Sequence, residues 1–400
     1  MKAVILAAGE GSRLKPFTAT RPKVMIPVGN KPILEYVINA LQTSGIVDIV
    51  MIVGYKREKI MDYFQDGHKW GVNITYMEQF QQLGTAHALK QASHIIKDHF
   101  LVINGDTVID SSAIKEVMKA NKGDATMLTV TVDKAYKYGV VNTQNDLVKG
   151  ILEKPQREDA GNTVNAGVYC FSPRIFAFLD SMEISERGEY EVTDAIRAMI
   201  GEGYSVRAVH TNATWMDALY LWNLIDMNVA TLSRRKAEIK GTVEEGAVIK
   251  GNVTVGENTT IMSGSYIIGP VAIGDNCEIG PNAVILPGTS IGGNCTIEPF
   301  VRISNSIIMN NVKISSFSHL AGSIIGEGCS IGSSFIAEAE ETRVEMDNIL
   351  MKANIGALIG DNTDAGGRVM VKPGRIVGVR CKIGAGAVVG SNIADNTKVL

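Results

Sequence analysis

Cysteine, aromatic residues and excess charge of either sign are all scarce in this chain of 400 residues. Its five cysteines, at positions 170, 277, 295, 329 and 381, are odd in number, widely spaced and form no Cys-x-x-Cys pair. That speaks against a disulfide framework or a zinc site and favours reduced, buried thiols in the cytoplasm. The net charge is only −3 and no basic block occurs, so a nucleic-acid partner has no electrostatic support beyond local sites. No apolar run approaches the roughly 18–20 residues of a membrane span. The first residues already read as a strand, without the charged, apolar and cleavage-site order of a secretory leader. With 45% hydrophobic and 20% charged residues, the composition is that of a soluble globular protein.

One scarcity is local. All three tryptophans and ten of the eleven tyrosines precede residue 240, whereas 24 of the 41 glycines lie in the last 160 residues. Such a shift marks two architectures. The expected division is a first domain over 1–223, a linking helix over 224–240 and a second domain over 241–400.

Short β-rich runs at Ala3–Ala7, Ile49–Val53, Ile74–Met77, Phe100–Asn104 and Ala125–Val132 alternate with helical stretches such as Pro32–Ser44 and Thr85–Ile96. The alternation predicts an α/β domain with a mostly parallel sheet, in which ligands bind beyond the carboxyl ends of the strands. Two such ends carry chemistry: the loop Gly9-Glu10-Gly11-Ser12-Arg13 and the pair Gly105-Asp106.

The second domain has a period of six. Aliphatic residues fall at 243, 249, 255 and onward to 303, eleven in succession, and the spacing returns in a shifted phase at 371, 377, 383 and 389. Residues around 305–365 are therefore expected to contain insertions. A six-residue repeat predicts a parallel β-helix whose aliphatics stack as internal ladders.

In the opening loop, two glycines let backbone N–H groups approach an anion. Arg13 offers a planar charged fork and Lys23 a compact point charge. No Gly-Lys-Ser/Thr follows, which excludes a P-loop, and the Gly-x-Gly-x-Arg spacing is not the dinucleotide pattern.

The stretch Leu6-Ala-Ala-Gly-Glu-Gly-Ser-Arg-Leu-x-Pro, followed by Arg21-Pro-Lys-Val-Met-Ile-Pro-Val and Lys31-Pro-Ile-Leu, resembles the signature of sugar-1-phosphate nucleotidylyltransferases. So do Gln82-Leu-Gly-Thr-Ala-His-Ala88, Asn104-Gly-Asp106, Glu153-Lys-Pro155, Asn165-Ala-Gly167, Glu189-Tyr-Glu-Val-Thr-Asp194 and Trp215-Met-Asp217, in the family's order. With the six-residue repeats added, the chain is similar to the archaeal and bacterial bifunctional enzymes that join such a transferase to an amino-sugar acetyltransferase.

The resemblance implies a Rossmann-like nucleotidyltransferase domain followed by a left-handed β-helix. It implies that UTP or dTTP and a sugar 1-phosphate, glucose or N-acetylglucosamine 1-phosphate, give an NDP-sugar and pyrophosphate. Arg13 and Lys23 would stabilise the polyphosphate, and Asp106 and Asp217 would hold Mg²⁺. Leucine stands at 219 and 221, where the family commonly has glycine and proline. Leu6, Ala7, Ala8, Gly9, Gly11, Gln79, Gln82, Gly84 and Thr85 would contact the nucleotide, with Gln82 reading a pyrimidine edge. Thr85 is also expected to cap a helix, and His87 and His94 to lie on its solvated face. Gly139, Glu153, Lys154, Asn165 and Gly167 would contact the sugar phosphate.

In the second domain, His319 matches the family's general base for acetyl transfer from acetyl-CoA, a role suited to an imidazole. Its surroundings depart from the pattern. Gly332-Ser333-Ser334-Phe335 replaces the family's Gly-Ala-Gly-Thr, and Ala339 stands near the place of an asparagine. Lys352, Lys372 and Arg375 are candidate partners of coenzyme A. The resemblance also implies a homotrimer assembled through the β-helix. Two alternatives stand beside this reading: a regulatory or oligomerisation module without catalysis, and acetyl transfer as the main activity.

Overall fold

A computed structural model describes residues 1–155, 161–185, 187–346 and 349–400. The chain forms two compact units, Met1–Glu10 with Ile33–Asp217, and Gly11–Pro32 with Ala218–Leu400. The expected boundaries ran through residues 223 and 241; here residues 11–32 group with the second unit. The helix following the first unit spans Leu221–Ser233, not 224–240.

The first unit is Rossmann-like. Its nine-stranded sheet runs in the order Asn73–Glu78, Asp48–Val53, Lys2–Ala7, Phe100–Asn104, Thr163–Phe171, Ala125–Thr131, Val206–His210, Leu147–Glu153, Gly139–Gln144. The first four are parallel, with Ala3 opposite Ile49, Val50 opposite Thr75, and Leu6 opposite Asn104. Three of them, Asp48–Val53, Lys2–Ala7 and Phe100–Asn104, are largely buried aliphatic runs, as strands covered on both faces are, whereas Asn73–Glu78 at the sheet edge is part-exposed and mixed in composition. Beyond these four the expectation of a mostly parallel sheet fails. Thr163–Phe171 runs antiparallel to both its neighbours, and the last three strands are joined by antiparallel ladders. An aliphatic strand buried on both faces carries no mark of its direction.

Helix Ile33–Thr43 buries Ile33, Leu34, Val37, Ile38 and Leu41, the stripe that a 3.6-residue period places on one face. Helix Ser111–Ala120 does the same with Ala113, Ile114 and Val117.

The second unit is a left-handed parallel β-helix of three sheets, with eight, nine and eight strands. One coil takes 18 residues, so that Val253 pairs with Val271 and Val271 with Thr289. From Val255 to Ile303 every expected ladder aliphatic is almost fully buried, while Val243 at the end of the stack is 36% exposed. Cys277, Cys295, Cys329 and Cys381 also point inward, and all five cysteines are free and buried.

The phase shift after residue 303 arises differently from the expectation of insertions alone. Two coils are one residue short, pairing Ser290 with Ile307 and Ser304 with Ala321. A single insertion then follows, the antiparallel hairpin Glu340–Met346 with Ile349–Ile355, and the ladder resumes where Ile325 pairs with Ile359.

Many coil corners use asparagine in the left-handed region, including Asn258, Asn276, Asn294, Asn311, Asn362 and Asn396, a conformation asparagine tolerates better than most residues. The residue before several of them caps the coil below. Oδ1 of Asp275 accepts from the N–H of Glu257 at 2.7 Å, Asn310 from Gly293 at 2.8 Å, Asp361 from Glu327 at 2.8 Å and Asp395 from Val379 at 2.8 Å.

Residues 11–32 form three single-turn 3₁₀ segments, Ser12–Leu14, Phe17–Ala19 and Lys23–Met25, and a hairpin of Pro27–Val28 with Lys31–Pro32. Gly29 and Asn30 turn the hairpin with φ of 54° and 61°, the two positive values a tight hairpin turn requires. The N–H of Gly29 donates to Asn228 at 2.6 Å, and Asn30 donates to the carbonyl of Ile291 at 2.6 Å. Asn228, on the helix Leu221–Ser233, is wholly buried and donates in turn to Gly288 at 2.8 Å.

Candidate active site

Within the first unit, the parallel strands Lys2–Ala7 and Phe100–Asn104 end side by side, with Leu6 opposite Asn104. Ala8-Gly9 and Gly105-Asp106 therefore leave the same edge of the sheet. The N–H of Gly105 returns to the carbonyl of Leu6 at 2.9 Å, and a side chain at Gly105 would meet that carbonyl at 3.1 Å. A Cβ there would be tight against the backbone, and glycine relieves this close approach.

After Asp106 the strand Thr107–Ile109 pairs antiparallel with Trp215–Asp217, and Asp217 stands directly opposite Thr107. Two acidic residues 111 positions apart in sequence thus occupy neighbouring positions across one ladder. Oδ1 of Asp217 accepts a hydrogen bond from the hydroxyl of Tyr138 at 2.8 Å. Tyr138 packs edge-on against Trp215, whose indole N–H donates to the carbonyl of Ala166 at 2.9 Å. Among the described residues no cluster of three or more His, Cys, Asp or Glu side chains could hold a metal. Paired carboxylates completed by phosphate oxygens and water are a donor set that suits Mg²⁺.

The segment expected to read the base is built around Gln79. This residue is buried, and its amide donates to the carbonyl of Gly84 at 3.1 Å and lies 3.0 Å from Nδ1 of His87. Gln82 is exposed and donates to the carbonyl of Gln79 at 3.2 Å. A side chain at Gly84 would strike the carbonyl of Tyr190 at 2.4 Å, so only glycine fits there. Helix Thr85–Lys90 is shorter than expected, and Gly84 occupies the capping position with no side-chain cap. The Thr85 hydroxyl instead accepts from the N–H of Val192 at 3.1 Å. His87 is half-buried against Gln79, so of the two histidines only His94 lies on a solvated face.

Glu153 pairs across the strands with Gly139. A side chain at 139 would lie 2.8 Å from Oε2 of Glu153, so glycine gives that carboxylate its room. The Thr193 hydroxyl donates to Oε2 at 3.3 Å, and Arg187 reaches Oε1 at 3.6 Å. Arg187 also binds Glu191 at 2.6 Å. Burial first, and the charge of Glu153 second, push the Glu191 carboxyl above its ordinary value, while Arg187 pulls it back.

Asn165 donates to the Tyr169 hydroxyl at 2.5 Å and accepts from the N–H of Gly167 at 3.0 Å. Gly167, at φ 69°, lies against the side chain of Asn104. Lys154 has φ 44° and donates its N–H to the carbonyl of Tyr138 at 3.0 Å. For a residue with a side chain that conformation costs about 1–3 kcal/mol and persists only where neighbours impose it.

Arg13 and Lys23 belong to the second unit. Gly11 has φ 75° and precedes the turn containing Arg13. A side chain at Gly11 would strike Cβ of Lys23 at 2.6 Å. The glycine therefore lets the lysine stem lie across the loop, next to the turn of the arginine.

His319, farther along the same unit, faces outward on its sheet between Arg302 and Ile336. Its Nδ1 is 3.0 Å from a carboxylate oxygen of Glu338. Two of the candidate coenzyme A partners have other contacts: Lys352 pairs with Glu341 at 3.0 Å, and Arg375 donates to the carbonyl of Arg343 at 3.1 Å.

Tyr138, Arg187, Trp215 and Glu338 were not foreseen as site residues.

The Nucleotidyl transferase family model matches residues 2–234, and the GMPPB C-terminal domain model matches residues 267–364. The chain belongs to the nucleotidyl transferase family. Within it, the chain is 38% identical over 413 aligned residues to the Bifunctional protein GlmU of Methanocaldococcus jannaschii, covering 100% of this chain and 97% of that one. It is 35% identical over 403 residues to a bifunctional sugar-1-phosphate nucleotidylyltransferase/acetyltransferase of Sulfurisphaera tokodaii, covering 98% of each. Among solved structures, a Bacillus anthracis protein assigned as a glucose-1-phosphate thymidylyltransferase, in complex with sucrose, matches with a TM-score of 0.54 and 28% identity. That match covers 60% of this chain and 98% of the other. The chain is thus a sugar-1-phosphate nucleotidylyltransferase of the type that continues into a β-helix. Among the described residues no helix is long and apolar enough to cross a membrane.

Proposed function

We propose that this transferase joins the nucleotidyl group of UTP or dTTP to glucose 1-phosphate or N-acetylglucosamine 1-phosphate. A phosphate oxygen of the sugar forms the new bond to the α-phosphorus, the bond from that phosphorus to the β-phosphate bridge breaks, and pyrophosphate leaves. Charge grows on the leaving oxygens and on the oxygens of the α-phosphorus, so fixed cations are the catalytic requirement. Arg13 and Lys23 supply them, and Lys154 holds the sugar phosphate. Gln82 reads the pyrimidine edge, and Glu153 and Asn165 meet the sugar. Asp106 and Asp217 would hold Mg²⁺, which when bound neutralises phosphate charge.

The observation carrying this reading is the ladder that puts Asp217 opposite Thr107, next to Asp106. The test is pyrophosphate release with magnesium from UTP, dTTP, ATP and GTP against both sugar phosphates. Release with UTP or dTTP only is expected. Release with none of the four would leave a silent regulatory module as the better account.

A second activity, acetyl transfer from acetyl-CoA to an amino-sugar phosphate, draws support from the His319–Glu338 pair at 3.0 Å. A carboxylate at Nδ1 keeps the hydrogen there and leaves Nε2 as the base. Acetyl transfer to glucosamine 1-phosphate that is unchanged by His319→Ala would refute this assignment.

Trimer assembly through the β-helix is supported by one face of the coil. Outward residues on one sheet include Val248, Ile336, Met370 and Val388, which are 39%, 36%, 40% and 61% exposed, with Arg302 and His319 interrupting the column before Ile336. The corresponding outward column of another sheet carries Glu278, Lys313, Asp364 and Lys382. The apolar patches on either side of Arg302 and His319 are where copies of one chain would pack. Light scattering tests it, and a monomeric mass would contradict it.

A further inference from the structure

Arg21 lies two residues before Lys23 and points to the β-helix. Its guanidinium meets Oδ2 of Asp361 and, at 3.1 Å, Oε2 of Glu327, and it also touches the sulfur of Met309 at 3.3 Å. The hydroxyl of Thr20 donates to the same Asp361 oxygen. The arrangement closes on itself, because the N–H of Glu327 donates to Oδ1 of Asp361. Arg21 is 12% exposed in its side chain and Asp361 is 3% exposed. A pair this deep is weak evidence for stability, yet removing one partner leaves a charge buried without compensation.

Asp361 is one member of a repeated device. Asp275, Asn310 and Asp395 use their side-chain oxygen to cap the coil below in the same way. Asp275 and Asp395 are exposed, whereas Asp361 is buried. Only the capping oxygen serves the coil. The other oxygen of Asp361 is given to Thr20 and Arg21.

From Arg21 a short series of contacts leads to both cations of the loop. Pro22 holds its own φ at −68° and its carbonyl accepts from Met25 at 2.9 Å, closing the turn that begins with Lys23. The stem of Lys23 lies on Gly11, and Gly11 opens the turn of Arg13, accepting from Leu14 at 2.9 Å. Single 3₁₀ turns have poor hydrogen-bond geometry and little rigidity of their own. Their shape must come from what they are fastened to.

We propose that Arg21, clamped by Asp361 and Glu327, is a positioning residue for nucleotidyl transfer, so that the β-helix sets the placement of Arg13 and Lys23. This rests on the reading that those two cations grip the polyphosphate. The β-helix then serves the transferase chemistry directly, independently of any assembly or acetyl transfer. Cations that act on a transition state must be held in place beforehand, and small displacements are costly.

The test is a double-mutant cycle of Arg21→Gln and Asp361→Asn, with kcat and KM for the nucleoside triphosphate measured by pyrophosphate release. Asparagine already fills the equivalent corner at Asn310, so Asp361→Asn keeps the capping acceptor and the coil. Each single variant should lose between about 10- and 100-fold in kcat/KM, mainly through kcat. The double variant should lose no more than the worse single one. Arg21→Lys should recover part of the loss, and Asp275→Asn, the same device without an arginine, should match the wild type. Asp361→Asn leaves Glu327 as the one carboxylate on Arg21, so its melting temperature should fall, while its mass and far-UV circular dichroism at the assay temperature should be unchanged. Full kcat/KM in both Asp361→Asn and Arg21→Gln would overturn the proposal. Arg13→Ala separates the two ideas: if it too is fully active, the underlying reading of the loop fails instead.

Discussion

The hydroxyl of Tyr138 donates to Oδ1 of Asp217 at 2.8 Å. Asp217 comes from the strand that pairs beside Asp106, and Tyr138 comes from the turn just before the strand carrying Gly139. A hydroxyl on one carboxylate oxygen fixes the group's rotation. Asp106→Asn and Asp217→Asn should each reduce nucleotidyl transfer by about 10²–10³-fold, the cost of one missing charge contact in a preorganised site. Tyr138→Phe should act more mildly, raising the magnesium concentration needed for half-maximal rate by about tenfold. A magnesium titration of the three purified variants checks this, and a Tyr138→Phe enzyme with an unchanged requirement would show that the hydroxyl does not orient Asp217.

The contact between Gly139 and Glu153 gives a second prediction. A methyl group at 139 would press on the Glu153 carboxylate at 2.8 Å, closer than real Cβ contacts come. Either the carboxylate rotates away from Thr193 or the strand pair opens. In both cases the sugar side is disturbed, so Gly139→Ala should raise the KM for sugar 1-phosphate by about tenfold with a smaller change in the KM for nucleotide. Equal effects on both substrates would count against a sugar-contacting role for Glu153.

Much of this was legible beforehand because the responsible features are periodic or local. Inward aliphatics from 255 to 303 must recur every sixth residue if a coil is to close on a ladder, and no other architecture asks for that spacing. The shortened coils at Ile307 and Ala321 were not legible, since losing one residue at a corner leaves the ladder intact and only shifts its phase. The antiparallel course of Thr163–Phe171 was hidden for a related reason: burial dictates its aliphatic residues whichever way it runs. Segment 11–32 shows a third limit. Its motif reads as part of the first domain, yet Arg21, Gly29 and Asn30 find partners at Asp361, Asn228 and Ile291, which no local pattern connects. Arg187 escaped notice because its partners Glu153 and Glu191 become neighbours only in the folded chain.

That last cluster predicts a pH effect. Glu191 is raised above its ordinary value, first by burial and then by the charge of Glu153. A carboxyl whose folded value exceeds the unfolded one contributes stability below the unfolded value, and loses it as pH rises through the folded value. At neutral pH the native protein therefore bears the cost of a buried charge that Arg187 offsets only in part. Glu191→Gln removes both the charge and its repulsion of Glu153, while Arg187 keeps Glu153 at 3.6 Å. The variant's melting temperature relative to wild type should rise as pH increases from about 4.5, the ordinary glutamate region, and then level off. Thermal melts from pH 4 to 8 measure it. A difference that stays constant, or that falls with pH, would mean that Arg187 outweighs burial at this site.

The apolar face of the coil supplies the final prediction. Met370 and Val388 pair on adjacent coils of one sheet, both side chains outward, and at 40% and 61% exposure they leave much apolar surface open to water. Hydrophobic area is worth about 25 cal/mol per Å² when covered, so a stripe of such residues favours self-association. A glutamate there would place a charge in the covered surface without touching the inward ladder at Val371 and Val389, which are 1% and 4% exposed. Met370→Glu should therefore lower the mass in light scattering while the coil keeps its far-UV circular dichroism. Nucleotidyl transfer should persist in the dissociated chain, because the clamp of Arg21 by Asp361 and Glu327 lies within a single chain. Loss of activity together with loss of assembly would instead require a neighbouring copy to complete the site.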